Sequence, residues 1–438
     1  MADHQFGFRT RALHAGGTPD AEHGARAVPI YQTTSFVFKD ADDAANLFAL
    51  QKYGNIYSRI GNPTVAAFEE RVASLEGGIG AVATASGMSA EFLVFAALAQ
   101  AGDHIVASAQ LYGGTVTQLD VTLRRFGIET TFVPGTDPAD YRAAVRPGTK
   151  AVYTEVVANP SGDVADLEGL AAVAHEAGVP LVVDSTMTPP YLVRPIEHGA
   201  DIVIHSATKF LGGHGNALAG AVVDGGTFDW SARPDKWPQF TQARARWGGL
   251  SLVDKCAAAS PYLHLVRAKY VHDLGTTLSP FNASQILQGT ETLDLRVARH
   301  TASALAVAEF LAGHPAVARV HHPGVPGDPG AGIAARDFPR GTGSVFSFDL
   351  AAPDGAVGPF IDALRLFKLV ANIGDTRSLV AHPAAMTHCR LTPEQRRAGG
   401  IAETTIRLSI GLESPQDLVA DLGQALDTVV TAVQTTRK

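Results

Sequence analysis

The sequence is poor in the features that mark several protein classes. Its two cysteines, Cys256 and Cys389, are too few and too far apart for a disulfide framework or a cysteine metal site. The formal net charge is −8 with no long run of one sign, which gives no indication of binding to nucleic acid or to an anionic membrane surface. No apolar run is long enough to span a membrane, and the polar N-terminus lacks the apolar core of a signal peptide. We therefore predict a cytoplasmic protein that binds neither membrane nor nucleic acid.

Metal-ligand spacing is also missing. His175, His198 and the pair His321-His322 show no cysteine or carboxylate partners at the spacing that metal sites use. We interpret these histidines as structural or surface residues and predict no metal site.

The chain is long and rather apolar. Its 438 residues are too many for one small core, so we expect two or three domains in one compact unit. Hydrophobic residues make up 46 % and charged residues 18 %, a rather apolar composition that suggests further burial in contacts between subunits.

The N-terminal part differs from the rest in its patterning. Residues 1–62 have weak periodicity and many turn formers, which predicts an extended arm rather than a domain. Regular structure starts at Asn62-Pro63, since Asn is a good N-cap and Pro suits the first helical position. This helix is expected to end at Gly77-Gly78.

Short apolar strands then alternate with helical patterns. Strands are predicted at residues 79–84, 105–107, 130–133, 151–157, 180–183, 202–204 and 217–223. The alternation predicts an α/β fold over residues 63–272, with a mostly parallel central sheet covered on both faces. Ligands bind such sheets at the carboxyl ends of the strands.

Two further segments complete the predicted organisation. The aromatic, turn-rich residues 225–249 are interpreted as an excursion at the active-site face rather than as a domain. Residues 273–438 are predicted to form an α+β C-terminal domain that begins with a long helix near residues 292–311.

One lysine follows a predicted strand beside two hydroxyl groups. The strand at residues 201–204 leads into Ser206, Thr208 and Lys209, ahead of a glycine-rich loop. A lysine in this position is suited to a Schiff base with a phosphorylated aldehyde, and the hydroxyls are suited to phosphate contacts. This pattern predicts an enzyme that uses pyridoxal phosphate.

Two other strand ends carry groups suited to the same cofactor. Asp184 ends its strand, where it can pair with the ring nitrogen and keep that nitrogen protonated; the alternative is a turn cap. Ser86, Gly87 and Met88 open a helix whose backbone N–H groups can approach a phosphate, and the alternative is an ordinary helix cap.

Three residues near strand ends have less specific signals. Tyr112 can stack on the cofactor ring, although an ordinary half-buried tyrosine gives the same pattern. Asn159 can donate to the phenolic oxygen of the cofactor, although Asn-Pro-Ser-Gly is also a common turn. Glu155 can orient neighbouring groups or carry a proton, and the sequence does not decide between these roles.

An arginine lies inside an apolar predicted strand near the C-terminus. A lone buried guanidinium is unfavourable, so Arg407 is expected either to bind a substrate carboxylate in bidentate fashion or to form an internal ion pair.

These segments together resemble the cysteine and methionine metabolism family of pyridoxal-phosphate enzymes. The matching stretches occur in family order and cover nearly the whole chain. They are Tyr57-Ser-Arg59 with Gly61-Asn-Pro63, Ala85-Ser-Gly-Met88, Tyr112-Gly-Gly114, residues 155–162, Val183-Asp-Ser-Thr186, Ser206-Ala-Thr-Lys209, Ser279-Pro-Phe281, residues 374–388 and residues 405–412. The resemblance implies the fold of the fold type I PLP-dependent transferases.

The resemblance also implies roles for single residues. Lys209 would form the covalent link to the cofactor and move protons, with Asp184 on the ring nitrogen and Tyr112 on the ring as the other catalytic residues. The implied cofactor-binding residues are Tyr57, Arg59, Ser86, Gly87, Met88, Tyr112, Asn159, Asp184, Ser206, Thr208 and Lys209. The implied substrate-binding residues are Arg407, Ser378, Asn159 and Tyr57. Tyr57 and Arg59 would reach the site of a neighbouring subunit, which implies a homo-oligomer, expected to be a tetramer built from dimers.

Within the family, the chain most resembles the branch that acts on O-acetylhomoserine. The resemblance rests on the loop Gly212-Gly-His-Gly215, the aromatic insert after it, Ser279-Pro-Phe-Asn282, and Asn372-Ile-Gly-Asp375 with Ser378-Leu-Val. It implies γ-replacement of acetate by sulfide or methanethiol, giving homocysteine or methionine. The loop His214-Gly-Asn216 departs from the Gly-Thr that is commoner in the family.

Other reactions remain open at this point. A γ-lyase that releases 2-oxobutanoate from methionine or cystathionine, and a cystathionine γ-synthase, belong to the same family. A cofactor-binding protein without catalysis that serves as a partner or regulator is a further alternative. The acetyl or succinyl ester, and the choice of thiol, depend on pocket volume and are not fixed by these motifs.

Overall fold

The computed structural model describes residues 6–49, 51–52, 54–256 and 259–436. A large sheet contains β1 (Gly80–Thr84), β2 (His104–Ser108), β3 (Glu129–Val133), β4 (Thr149–Glu155), β5 (Leu181–Asp184), β6 (Ile202–His205) and β7 (Gly220–Asp224), in the order β1-β7-β6-β5-β4-β2-β3. Neighbouring strands are parallel except at β7, which runs antiparallel to both β1 and β6. The predicted mostly parallel α/β sheet is therefore confirmed.

Helices flank this sheet and continue into the C-terminal part. They are α1 (Phe8–His14), α2 (Ala41–Phe48), α3 (Pro63–Glu76), α4 (Gly87–Leu98), α5 (Gly113–Thr117), α6 (Pro138–Ala144), α7 (Leu167–Glu176), α8 (Pro238–Thr241), α9 (Leu252–Lys255), α10 (Pro261–Leu265), α11 (His272–Leu274), α12 (Pro280–Thr290), α13 (Leu293–Ala312), α14 (Ala331–Asp337), α15 (Val357–Ala363), α16 (Pro393–Ala398) and α17 (Pro415–Thr436). The strands β2, β6 and β7 are buried at every residue, as a sheet covered on both faces requires. Across the described ranges, none of the helices is long and apolar enough to cross a membrane.

Helix α3 begins and ends where its sequence predicts. The Asn62 side chain accepts a hydrogen bond from the backbone N–H of Thr64, and Pro63 takes the first helical position. Gly77 ends the helix with φ of 87°, a left-handed conformation that glycine adopts without a steric penalty.

Part of the N-terminal segment packs against its own subunit. Arg71 of α3 donates to the carbonyl oxygen of Leu13 at 3.2 Å and to that of Ala15 at 2.5 Å, which holds the end of α1 on α3. The segment also contains α2, so it has more regular structure than its weak periodicity indicates.

A second, smaller sheet forms the C-terminal part. Its strands are β8 (Val317–His321), β9 (Val345–Leu350), β10 (Lys368–Leu369), β11 (Leu379–Ala381) and β12 (Thr405–Ser409), in the order β10-β11-β12-β9-β8. It has a separate hydrophobic core with residues from α13, α15 and α17. The predicted domain limits at residues 62 and 272 stay predictions. Ala283 and Ile286 of α12 follow the second limit in the chain and pack into the core of the large sheet.

The prediction for the aromatic insert was wrong about its position. Trp237 Nε1 donates to the carbonyl oxygen of Gly178 at 3.3 Å, just before β5, and Lys150 at the start of β4 donates to the carbonyl oxygen of Lys236 at 2.6 Å. The insert therefore lies at the amino ends of the parallel strands, away from Lys209. The reason is the antiparallel direction of β7, which brings the chain to that end of the sheet at Asp224.

Candidate active site

The carboxyl ends of β4, β5 and β6 and the start of α4 surround a cavity of about 210 Å³. The structure brings most of the predicted site residues to its lining. These residues are Ser86, Gly87, Met88, Tyr112, Asn159, Asp184, Ser206, Thr208, Lys209 and Arg407. Parallel strands place their ends at one edge of the sheet, which is why residues far apart in sequence meet here.

Lys209 lies in the loop after β6, and its amine contacts a residue of the C-terminal part of the chain. The Nζ atom of Lys209 donates a hydrogen bond of 2.5 Å to Oδ1 of Asn372, which precedes β11. Burial, and then the nearby charge of Arg407, lower the pKa of Lys209 to about 8. A larger share of the amine is therefore uncharged near neutral pH, as a nucleophile or general base requires.

Asp184 is a buried carboxyl group at the end of β5. Its Oδ1 atom accepts a hydrogen bond of 2.7 Å from the backbone N–H of Thr186. Burial raises the pKa of Asp184, while hydrogen bonds from Thr186 and the charge of His205 oppose that rise. A cation placed against Asp184, such as a protonated ring nitrogen, would favour its ionised form.

Backbone and hydroxyl donors form an anion site on the other side of the cavity. Ser86 is the N-cap of α4, and its Oγ atom accepts from the N–H of Ser89 at 3.2 Å. A Cβ atom on Gly87 would lie 2.6 Å from Cβ of Ser206, so glycine is needed for the start of α4 to approach the loop that carries Ser206 and Thr208. A helix N-terminus facing two hydroxyls suits a phosphate group.

Glu155 orients the two loops that carry Tyr112 and Asn159. Its Oε1 atom accepts from the backbone N–H of Tyr112 at 2.6 Å, and its Oε2 atom accepts from that of Asn159 at 3.0 Å. Burial is the first cause that raises the pKa of Glu155, and the charge of Asp184 is the second. Of the two roles left open by the sequence, these contacts favour the orienting one.

Arg407 is a buried cation in the wall of the cavity. It extends from β12, where it donates to Oδ1 of Asn159 and to the backbone carbonyl oxygen of Asn372, both at 3.2 Å. No carboxylate of the described residues forms an ion pair with it, so the internal ion pair is absent from that part of the chain. Burial lowers the pKa of Arg407 to about 10, and a substrate carboxylate would supply the missing negative charge.

Three predicted site residues do not line this cavity. Ser378 is buried, and its hydroxyl donates to Oε2 of Glu413 at 2.8 Å, so it is not available to a substrate in this arrangement. Tyr57 is 42 % exposed, and Arg59 lies over its ring at 5.5 Å. Arg59 also donates to the carbonyl oxygen of His272 at 3.3 Å.

Sequence reasoning assigned no role to several residues of the cavity wall. Asn372 and Thr186 lie within motifs that the resemblance uses, and Ser206 N–H donates to Oγ1 of Thr186 at 2.8 Å. Glu91 also belongs to the wall. Its signal is a single acidic residue within the otherwise apolar sequence of α4.

The histidines singled out in the sequence have carboxylate neighbours. His175 lies 2.8 Å from Asp201, and His321 lies 2.8 Å from Asp349. His198 lies near Glu168 and Asp337, with possible ligand atoms within 4.8 Å of one another. Both oxygens of Asp337 already accept from Arg336, so this group is better explained by ion pairing than by a metal.

The cavity fits pyridoxal phosphate by its donor set. It combines one buried amine of lowered pKa, a buried carboxyl group at the end of β5, and a helix N-terminus flanked by hydroxyls. These groups match the aldehyde, the ring nitrogen and the phosphate of that cofactor.

Comparisons with known proteins agree with this fit. The model of the family described as "Cys/Met metabolism PLP-dependent enzyme" matches residues 9–427. The O-acetyl-L-homoserine sulfhydrylase of Leptospira meyeri is 46 % identical over 97 % of each chain, and the homocysteine synthase of Schizosaccharomyces pombe is 45 % identical over 96 % of this chain and 98 % of its own. The crystal structure of a putative O-acetylhomoserine (thiol)-lyase from Campylobacter jejuni, which contains N'-pyridoxyl-lysine-5'-monophosphate, has a TM-score of 0.92 at 35 % identity and covers 96 % of this chain and all of its own.

Proposed function

The chain belongs to the Cys/Met metabolism family of PLP-dependent enzymes, and we propose that it catalyses γ-replacement on O-acetyl-L-homoserine. In this reaction the C–O bond at the γ-carbon breaks and releases acetate, and sulfide forms a C–S bond at the same carbon to give homocysteine. Methanethiol in place of sulfide gives methionine. The observation that carries the proposal is a full-length match at 46 % identity to a relative named as an O-acetyl-L-homoserine sulfhydrylase.

The geometry of the cavity supports an amino-acid substrate. Arg407 offers a buried cation for the α-carboxylate, and Lys209 offers the amine for exchange with the α-amino group. Both contact Asn372, one through its backbone and the other through its side chain, so the two binding groups have a fixed separation.

The cofactor supplies the electron-poor ring that the chemistry needs. Bound in the cavity, pyridoxal phosphate provides an acceptor for the electron pair left when a proton leaves the α-carbon. Asp184 would favour the protonated ring nitrogen, and Ser86, Gly87, Ser206 and Thr208 would hold the phosphate.

Lys209 carries the protons of the reaction. Its pKa of about 8 allows the Nζ atom to accept the α-proton and later to return one. Asn372 holds the Nζ atom in place, and Tyr112, which is 40 % exposed, presents its ring to the cavity.

The proposal also covers the oligomeric state and the cellular location of the protein. A tetramer built from dimers, located in the cytoplasm, would place Tyr57 and Arg59 at the site of a neighbouring subunit. Their position outside the cavity of their own subunit supports this arrangement. An arm at residues 1–62, a cofactor-binding domain at 63–272 and a C-terminal domain at 273–438 remain the proposed division.

A product assay tests the reaction. With O-acetylhomoserine, homocysteine is expected only when sulfide is present, whereas formation of 2-oxobutanoate from methionine would identify a γ-lyase instead. Parallel runs with the succinyl ester and with methanethiol define the leaving group and the thiol.

A variant tests the lysine. Lys209→Ala is expected to lose the visible absorbance of the bound cofactor and to lose turnover by at least about 100-fold, because both the covalent link and the general base are gone. Lys368→Ala, on the exposed strand β10, is the matched control. Substantial γ-replacement by Lys209→Ala would contradict the role of Lys209.

A further inference from the structure

A buried carboxyl group in the wall of the cavity has no role in the contacts described so far. Glu91 lies on α4, one turn after Gly87, and is 2 % exposed. Its Oε2 atom accepts a hydrogen bond of 2.9 Å from Oγ1 of Thr115, and its Oε1 atom is buried with no hydrogen-bond partner among the residues that the structure describes. A buried carboxylate that accepts a single hydrogen bond is strongly disfavoured in its charged form.

The groups that face Glu91 do not compensate a charge. Strand β4 contributes Tyr153 and Glu155, strand β5 contributes Asp184, and α5 contributes Thr115. The hydroxyl of Tyr153 is also buried, and it lies next to Thr115. Over the described residues, no lysine, arginine or histidine forms a hydrogen bond or an ion pair with Glu91.

The protonation state follows from this environment. Burial is the largest influence, and together with the charge of Asp184 it raises the pKa of Glu91 to about 8, although the hydrogen bond from Thr115 acts in the opposite direction. This environment favours the protonated form of Glu91 at neutral pH. Burial raises the pKa of Glu155 as well, but its two oxygens each accept a backbone N–H bond, whereas among the described residues Glu91 accepts only from the hydroxyl of Thr115.

We propose that Glu91 is a positioning residue that remains uncharged, so that Asp184 is the anion that faces the ring nitrogen of the cofactor. This inference rests on the cofactor site of the proposed function but not on the identity of the substrate. Two nearby carboxylates compete for one proton, so a charged Glu91 would favour protonation of Asp184. A charged Glu91 would also add a negative charge to a site that binds a phosphorylated, anionic cofactor.

Infrared spectroscopy of the holoenzyme tests the charge state directly. At neutral pH, the difference spectrum between wild type and Glu91→Gln is expected to contain the C=O band of a carboxylic acid. Glu394→Gln, on the exposed helix α16, is the matched control and should remove only carboxylate bands. Loss of a carboxylate band alone in Glu91→Gln would overturn the proposal.

The pH dependence of cofactor affinity tests the consequence. Equilibrium dialysis with pyridoxal phosphate should show that wild-type affinity falls as the pH rises through about 8, the pKa of Glu91. Lys209 titrates in the same range, so the variants isolate the contribution of Glu91. Glu91→Gln should keep neutral-pH affinity within a few-fold and show a smaller fall, and Thr115→Val should move the fall to higher pH because it removes the bond that favours the charged form.

The outcomes separate the possible failures. Equal pH profiles for wild type and both variants would overturn the proposal, as would a folded Glu91→Gln protein that cannot bind the cofactor at neutral pH. If Glu91→Gln does not fold, the pH-difference infrared spectrum of the wild type and the Thr115→Val shift decide the question. None of these measurements uses an acetylated substrate, so failure of the proposed γ-replacement would appear separately in the product assay.

Discussion

The Nζ atom of Lys209 lies 2.5 Å from Oδ1 of Asn372, a residue 163 positions later in the chain. The backbone carbonyl oxygen of Asn372 accepts a hydrogen bond of 3.2 Å from Arg407. One residue thus links the reacting amine to the guanidinium that is free to bind a carboxylate. This link lies between the loop after β6 and the smaller sheet, so the active site depends on how these two parts pack.

Removal of the Asn372 side chain should affect the amine more than the guanidinium. Asn372→Ala is expected to lower kcat by about tenfold or more, since a hydrogen bond to a charged or reacting group is typically worth 1.5–3 kcal/mol. KM should change little because the backbone contact to Arg407 remains. Steady-state kinetics measure both parameters, with Asn46→Ala on α2 as the control. A raised KM with unchanged kcat would contradict the role given to this side chain.

Arg407 and Arg296 are buried arginines that form no ion pair with a carboxylate of the described residues, and they should respond differently to the same change. Arg407→Met is expected to raise KM by about 100-fold, because truncating one partner of a buried charge pair costs about 2–5 kcal/mol. Its stability should be retained or increased, since an unpaired buried cation is removed.

Arg296 is the comparison for Arg407, and its role is structural. It donates to the carbonyl oxygens of Phe210 at 2.9 Å and of Gly289 at 2.7 Å, which fastens α13 to the loop after Lys209. Arg296→Met should lower the free energy of unfolding by about 3 kcal/mol, because buried carbonyls lose their donors. Urea unfolding and steady-state kinetics on both variants measure stability and KM. A large loss of stability in Arg407→Met with a normal KM would show that Arg407 has a structural role and does not bind the substrate.

The close approach at Gly87 should make cofactor binding sensitive to a single methyl group. A Cβ atom at residue 87 would lie 2.6 Å from Cβ of Ser206, so Gly87→Ala must displace the start of α4 or the loop that holds the phosphate. We expect affinity for pyridoxal phosphate to fall by about tenfold or more, a loss typical of overpacking by 1–3 kcal/mol. Gly332→Ala on α14, where a Cβ would meet no atom within 4 Å, should leave the affinity unchanged. Equal affinities for both variants would contradict the close approach.

Buried neutral histidines should make the protein less stable in acid. Burial lowers the pKa of His300 to about 4, so its uncharged form is favoured by folding. The contribution of uncharged His300 to the free energy of unfolding is complete above the unfolded-state pKa of about 6.5 and is lost as the pH falls toward 4. Between pH 7 and pH 5 this loss is about 2 kcal/mol.

A variant isolates this contribution. His300→Gln should be less stable than wild type at pH 7, because the bond between its Nδ1 atom and the carbonyl oxygen of Ile410 is altered, but it should lose less stability on acidification. Chemical unfolding at the two pH values measures the difference, and His14→Gln at the exposed end of α1 should keep the wild-type slope. An unchanged slope in His300→Gln would show that folding does not lower the pKa of this histidine.

The parts of the site that follow strand ends could be predicted from the sequence. Asp184 ends one apolar strand and Lys209 lies in the loop after another, and parallel strands bring their carboxyl ends to one edge of the sheet. Ser86 and Gly87 carry a local helix-start signal that the structure reproduces. The position of the aromatic insert could not be obtained in this way, because it depends on the direction of β7, which an apolar strand pattern does not reveal.

The sequence by itself determined the alternation of strands and helices, the start and end of α3, and the residue types at each strand end, because these depend on neighbours within a few positions. Only the tertiary structure decided which distant groups meet. It placed Asn372 against Lys209, gave Arg407 no carboxylate partner within the described ranges, turned Ser378 toward Glu413, and buried Glu91 among other acids. Those contacts depend on how the smaller sheet and α4 pack around the cavity, and burial then sets the charge of each group, which no local pattern in the sequence encodes.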